Sequence, residues 1–534
     1  MSRPLLEQRL ATLAQTGAAA SLKGMVRGIE KESLRTTLAG ELAQTPHPPS
    51  LGSALTHPQI TTDYSEALLE LITPASDDPA APLDWLDRLH RFINQDLAER
   101  GELIWNNSMP CPLGDDASIP VANYGSSNVG RMKHIYRLGL GHRYGRKMQT
   151  IAGIHYNLSF PESFWEQWQL QLQDNHLLQD FISTQYFGLL RNFQRQAWLL
   201  IYLFGASPAV CASFLDGKPH RLLEGFNHTL SRPYATSLRM SDLGYQNNAQ
   251  SSLQVSLDDL DSYVHTLTYA ISTPEPSYVQ TGVRTADGSY LQLNPNILQI
   301  ENEFYSSIRP KRTTHRNERP TLALQRRGVE YIEIRSLDIN PLLPVGIGAD
   351  DCRFLDLFAS HCLMSPAPAL SHCDMSSAKQ NIRQVVYDGR RPGLNLWRCY
   401  DSIPLKTWGL EICDELVGIA ELFDAAYGGN AYQQSLAHQR AKLEQPELTP
   451  SAQVLAAITK SGSFFDFALQ QAQAQQAHFL AAPLAAADLQ QLRDAAHTSL
   501  AKQQALEAEQ GKSFEAYLAD YFQGIKTLTQ PDGN

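Results

Sequence analysis

The chain has 534 residues, 43% of them hydrophobic and 19% charged, which is the composition of a folded body and shows no sign of wholesale disorder. Its 44 Lys and Arg against 55 Asp and Glu leave a net charge of -11, so there is no basic field for a phosphate backbone and no nucleic-acid partner is expected. By length alone it has room for about three or four domain-sized units.

In chain order, the first twenty residues predict a short helix, with Leu5, Leu6, Leu10 and Leu13 near helical spacing. Ala18, Ala19 and Ala20 have the small side chains of a cleavage site, but Glu7 and Arg9 interrupt the stretch before them, and a signal peptide is the poorer reading. From about Gly24 to Pro341, short runs of period-two alternation recur between helical stretches, which predicts an α+β body on a largely antiparallel sheet. The uncharged stretch from Ala197 to Leu215 carries Gly205, Ser207 and Pro208 in its middle, so it is read as a buried helix followed by a turn, and no membrane association is expected. After Asp350 the pattern turns mainly helical, with joints at 365–377 and 445–450. The last eighty or so residues, rich in Ala, Gln and Leu, predict packed helices carrying little chemistry. Seven cysteines are scattered without CxxC pairs, which fits a reducing, cytoplasmic setting better than a disulfide framework.

Side chains two apart on a strand share a face. In RGIEKESLR, Glu30 and Glu32 point the same way; in IAGIHYNLS, His155 and Asn157 do. In ILQIENEFYSSIRPKR the same reading puts Gln299, Glu301, Glu303 and Tyr305 on one strand face, and in GVEYIEIRSLDINP it puts Tyr331, Glu333 and Arg335 together. Four strands with this polar side predict a lined cavity in preference to a solvated face.

The chain contains no GxxxxGK[ST] loop, no GxGxxG fingerprint and no HExxH helix. Phosphates would need another cradle, and hard divalent cations held by carboxylates supply one. Glu30, Glu32, Glu70, His155 and Glu333 are ligands of the right kind, and the carboxylates favour magnesium or manganese over zinc. Glu70 lies in TTDYSEALLELITP, where residues 66 to 73 read as strand; Asp63 is either a cap or a site residue, and Glu66 reads as a surface charge. Of the cations, Arg335 is a stronger candidate than Arg309, Lys311 and Arg312, because it shares a face with Glu333.

RGIEKESLR, LGSALTHPQITTDYSEALLELITP, YGSSNVGRMKHIYRLGLGHRYG, MQTIAGIHYNLS, YLFGASPAVC, PYATSLRMSDLGY, LQIENEFYSSIRPKR and GVEYIEIRSLDINP together resemble the glutamate-cysteine ligases of gamma-proteobacterial type. The core motifs run from 24 to 341, and the resemblance implies a catalytic domain over 1–430; that 431–534 is a helical region packed on it is read from composition alone. It implies a glutamine-synthetase-like body with a curved antiparallel sheet, and ATP-dependent joining of L-glutamate to L-cysteine through a γ-glutamyl phosphate. Glu30, Glu32, Glu70, His155 and Glu333 resemble the metal-binding positions, Arg335 the residue that steadies the transferring phosphoryl group, and Asp63 an active-site acid. Tyr64, Tyr136, Gln149, Arg239, Tyr245 and Tyr305 are similar to the cysteine-binding positions. Mg²⁺, with Mn²⁺ as an alternative, is the implied cofactor and ATP the co-substrate; feedback inhibition by glutathione and a monomeric state are further expectations. A ligase taking another amine, a metal-dependent phosphohydrolase and a non-catalytic nucleotide sensor are the rival readings.

Overall fold

The computed structural model describes residues 2–215, 218–225, 227–243, 253–509 and 511–523. Helix α1 (Ser2–Gln15) forms where the leucine spacing predicts it, burying Leu6, Leu10 and Leu13 while Leu5 stays exposed. The main sheet is built from β1 (Val26–Thr37), β2 (Ile60–Thr62), β3 (Leu68–Ile72), β4 (Glu102–Trp105), β5 (Ile154–Ser159), β6 (Ile308–Lys311) and β7 (Tyr331–Leu337). Its order is β2-β3-β1-β5-β7-β6, with β4 pairing the end of β1, and every pairing is antiparallel. The segment 66–73 is strand where it matters, at Leu68–Ile72.

One face of this sheet is core. Ile29, Ile154, Tyr156, Leu158, Ile332 and Ile334 are all buried, and each fully buried aliphatic side chain among them contributes roughly 1.5–3 kcal/mol. Helix α2 (Ala81–Glu99) packs on β1, β3 and β4, and α3 (Leu178–Phe204) on β6 and β7. Helix α3 covers the Ala197 stretch, is buried through Phe204, and stops at Gly205, where a Cβ would stand 2.5 Å from the Ile201 carbonyl and 2.8 Å from the Thr236 backbone. No helix among the described residues is long and apolar enough to cross a membrane.

A buried ion pair ties the sheet to the helices behind it. Arg27 of β1 meets Asp356 at 2.8 Å, and Asp356 also accepts from the Tyr156 hydroxyl at 2.9 Å and the Tyr432 hydroxyl at 3.1 Å. Asp356 belongs to α4 (Ala349–Met364), followed by α5 (His372–Asp388), a hairpin over 395–404, and α6 (Leu405–Tyr427). Helices α7 (Ala431–Glu444), α8 (Pro450–Ser461), α9 (Phe464–Ala481), α10 (Ala486–Ala508) and α11 (Phe514–Gln523) follow among the described residues.

Three expectations are corrected. The run from Gln299 to Tyr305 is no strand: Glu301–Glu303 is a tight helical turn, and strand begins only at Ile308. Both glutamates are buried in ion pairs, Glu301 with Arg319 at 3.2 Å and Glu303 with Arg143 at 2.8 Å, and those partners hold the backbone in the turn. Glu66 is more than a surface charge, since its two carboxylate oxygens accept from the backbone N–H groups of His47 and Asn123, each at 2.6 Å, and so join two loops. The cysteines are also not all free: Cys373 at the start of α5 is bonded to Cys399 in the hairpin, while Cys111, Cys211, Cys352, Cys362 and Cys413 are buried thiols.

Candidate active site

The register of the sheet assembles the acidic cluster. Directly opposite residues of an antiparallel pair lie side by side on one face, and Glu30 faces His155, Glu32 faces Glu70, and Glu333 faces both Asn157 and Arg309. His155 sits in the middle, its Nδ1 3.1 Å from Glu30 and 3.7 Å from Glu333, its Nε2 3.7 Å from Glu32. Ligand atoms of Glu30, His155 and Glu333 fall within 4.8 Å of one another. Between the two glutamates of β1, Lys31 points the other way, into the core, where its Nζ donates to His90 Nε2 at 2.6 Å and burial brings its pKa down to about 7.

Arg335 follows Glu333 on the same face and pairs with it at 3.0 Å. The register with β5 slips between Ile334 and Leu337, a bulge of the kind that re-aims side chains beside active sites. Lys311 reaches the same carboxylate at 3.4 Å, and the Arg309 guanidinium donates to the carbonyls of Asn302 and Phe304 at the cavity wall. The basic strand is therefore part of the site, alongside Arg335.

These charges split the carboxylates into two sets. Burial pushes the Glu333 carboxyl up, but Arg335, Lys311 and His155 outweigh it and hold it well below the ordinary value. Burial likewise raises Glu30, and its hydrogen bond from His155 brings it below normal. Glu70 goes the other way: burial, then the neighbouring charges of Glu30, Asp63 and Glu32, lift it well above the ordinary carboxylate range. Glu32 is also raised, chiefly by burial. Arg335 stays charged, because Glu333, Glu32 and Glu30 overcome the effect of its burial.

A hard divalent cation fits this donor set. Glu333 Oε2 and Asn157 Oδ1 are buried oxygens with no hydrogen-bond partner, beside an imidazole and a second carboxylate, so the site carries unused acceptors where a cation needs them. All five sequence-assigned ligands, with Asp63 and Arg335, line one cavity of about 1460 Å³.

Tyr64, Tyr136, Gln149, Arg239 and Tyr305 line that cavity too; Tyr245 lies outside the described residues. Arg239 is placed by Asp338, just past β7, whose carboxylate accepts from the Ala206 N–H at 2.8 Å, Ser207 at 2.6 Å and Ser237 at 2.8 Å and so pins the segments around Arg239. The guanidinium donates to the Arg335 carbonyl at 2.9 Å, and its room depends on Gly153, where a Cβ would come within 2.1 Å. The Tyr305 hydroxyl reaches the Met240 sulfur at 3.2 Å, as does Arg239 Nη1.

Sequence reading missed Lys133 and Arg137. Both lie on the helix Asn128–Tyr144, capped by the Ser127 hydroxyl, and both line the cavity. Arg137 stacks 4.6 Å over Tyr124 and donates to the Asp63 carbonyl, while Lys133 lies 5.1 Å over the same ring and burial lowers its pKa to about 8. The available signal was helical spacing: Lys133, Tyr136, Arg137 and Leu140 recur at three and four residues, which places them on one face.

An α+β body with carboxylates, an imidazole and guanidiniums converging on one sheet face has the features of an enzyme active site. A family model described as glutamate-cysteine ligase matches residues 10–385, and the chain belongs to that family. It is 60% identical to the glutamate–cysteine ligase of Alcanivorax borkumensis over 97% of this chain and 99% of that one. Against the glutamate–cysteine ligase of Pseudomonas paraeruginosa it is 51% identical, covering 98% and 99%. Among solved structures, the glutamate–cysteine ligase of Francisella tularensis in complex with AMP matches with a TM-score of 0.89 at 38% identity, over 95% of this chain and 99% of that one. A bifunctional glutathione synthetase from Pasteurella multocida matches with a TM-score of 0.70 at 25% identity, over 88% of this chain and 55% of that one.

Proposed function

We propose that the chain joins the γ-carboxylate of L-glutamate to the amine of L-cysteine at the expense of ATP, giving γ-glutamylcysteine, ADP and phosphate, the first step of glutathione synthesis. The observation that carries this reading is the convergence of Glu30, His155 and Glu333 beside Arg335 in a chain of this family. The relative solved with AMP supports an adenine nucleotide as co-substrate.

A carboxylate is a poor electrophile at neutral pH. Transfer of the terminal phosphoryl group to the glutamate γ-oxygen makes that oxygen a leaving group, and the cysteine amine then displaces phosphate as the C–N bond forms. Mg²⁺, or Mn²⁺ in its place, would supply positive charge to the phosphate oxygens when bound. Glu30, His155 and Glu333 would hold it, with Glu32 and Glu70 across the β1–β3 pair completing the ligand set. Arg335 presents a fixed guanidinium to the group in transfer, where charge spreads over the equatorial oxygens. Asp63 helps to position metal or the incoming amine. Arg239, with Tyr305 and Tyr245, grips the cysteine carboxylate, and Tyr64, Tyr136 and Gln149 line the remaining wall.

The wider reading takes residues 1–430 as the catalytic domain with 431–534 packed on it, working as a monomer in the cytoplasm and inhibited by glutathione, which shares the chemistry of the substrates. The test is to incubate the purified protein with ATP and Mg²⁺ and to follow ADP with glutamate alone, with cysteine added, and with other amines. ADP release coupled to γ-glutamylcysteine is expected. Equal release without any amine would indicate a phosphohydrolase, and release with a different amine another ligase of the class.

A further inference from the structure

Helix α11 falls in the C-terminal stretch whose composition promised only packing. Phe514 and Leu518, one turn apart, are buried against Met132 and Ile135 of the Asn128–Tyr144 helix and against Leu293 and Ile300, forming a small core separate from the main one. The Arg131 guanidinium lies 4.3 Å over the Phe514 ring, and the Tyr290 ring meets it edge-on at 5.3 Å. Polar ties fix the N-terminal half of the helix: Asn128 Nδ2 donates to the Lys512 carbonyl at 2.9 Å, Arg284 pairs with Glu515 at 2.8 Å, and the Tyr517 hydroxyl donates to Asn317 at 3.2 Å. Ten residues are too few for a stable helix in water, so this packing is what orders it.

With Phe514 and Leu518 turned inward, helical spacing carries Tyr517 and Tyr521 to the adjoining flank. Both rings line the catalytic cavity, alongside Met132, Lys133 and Tyr136 of the helix they brace. We propose that Tyr517 and Tyr521 form part of the wall of the acceptor amino-acid subsite, and that α11 holds Tyr136 against that subsite. This rests on the reading of Tyr136 as a cysteine-side residue. The C-terminal helix then sets acceptor affinity, and its apolar ring faces suit a small side chain such as that of cysteine.

The test uses full-length protein and steady-state kinetics for each substrate separately. Tyr521→Ala is expected to raise the KM for cysteine by about fivefold, the order expected for losing one aromatic contact, with the KM values for ATP and glutamate and the kcat within about a factor of two. Tyr521→Phe, which keeps the ring, is expected to recover most of the lost affinity. An unchanged cysteine KM in Tyr521→Ala would overturn the proposal, and so would a parallel rise in all three KM values, the signature of general loosening. Arg239→Lys measured alongside separates the two levels. If Arg239→Lys raises the cysteine KM and Tyr521→Ala does not, only the role of α11 falls; if Arg239→Lys leaves it unchanged, the subsite reading itself is wrong.

Discussion

Glu333 and Arg335 stand two residues apart on β7, so the pleat turns both side chains into the cavity while Ile332 and Ile334 fill the core. The pairing at 3.0 Å means that neither group is free to wander, and each keeps its charge because of the other. Removing the Glu333 charge takes away a metal ligand, and removing Arg335 takes away the guanidinium aimed at the transferring group. Glu333→Gln and Arg335→Ala are therefore each expected to lower kcat by at least about a hundredfold, the usual scale for losing a preorganised electrostatic group, while circular dichroism shows that each variant still folds. Near-normal turnover in either variant would remove that residue from the chemistry. Both residues, with Glu30, Glu32 and His155, were legible because a period of two is visible in sequence. Lys133 and Arg137 were passed over, since their helical face shows only when polar residues are read at a period of 3.6 among others that simply meet solvent.

At the scale of elements, alternation identified β1, β5 and β7 and failed at 299–305. Gln299, Glu301, Glu303 and Tyr305 alternate as a strand would, yet the partners that decide the backbone are Arg143 and Arg319, which no local pattern connects to them. The turn matters because it leads into β6 and backs the helix that carries Tyr136; Gln299 donates to the Tyr136 carbonyl at 3.1 Å. Glu301 and Arg319 are almost fully enclosed, and Thr321 also donates to the same carboxylate. Breaking one side of such a pair strands the other charge in a medium that cannot solvate it, which costs roughly 3–5 kcal/mol. Arg319→Ala should lose stability on that order in urea unfolding, and Glu301→Gln in the same background should restore part of it. Additive losses in the double variant would mean that the two side chains do not act as a pair.

Over the whole molecule, the family motifs end before α7, so the C-terminal helices could be read only by composition, and composition does not say which way Tyr517 and Tyr521 face. The acidic cavity has a global consequence of its own. Glu30, Glu32, Asp63, Glu70 and Glu333 share one cavity in a chain of net charge -11, and β1, β3 and β7, which carry the four glutamates, lie inside the sheet. Glu70 is raised well above the ordinary value of 4.5, and Glu32 is raised as well. Without metal, the folded state keeps protons that the unfolded chain has already lost, so these groups make stability fall as pH rises from the ordinary carboxyl value through their folded pKa values. A divalent cation needs the carboxylates ionised, so binding expels those protons and tightens as pH rises. Mg²⁺ at about a hundred times its Kd would add about 2.7 kcal/mol. The expected result is a melting temperature raised by Mg²⁺, with a larger increment at about pH 8 than at about pH 6 and with proton release on titration that Glu70→Gln diminishes. An increment equal at both pH values, or matched by NaCl of the same ionic strength, would show that the cluster answers to screening alone and does not ligate the ion.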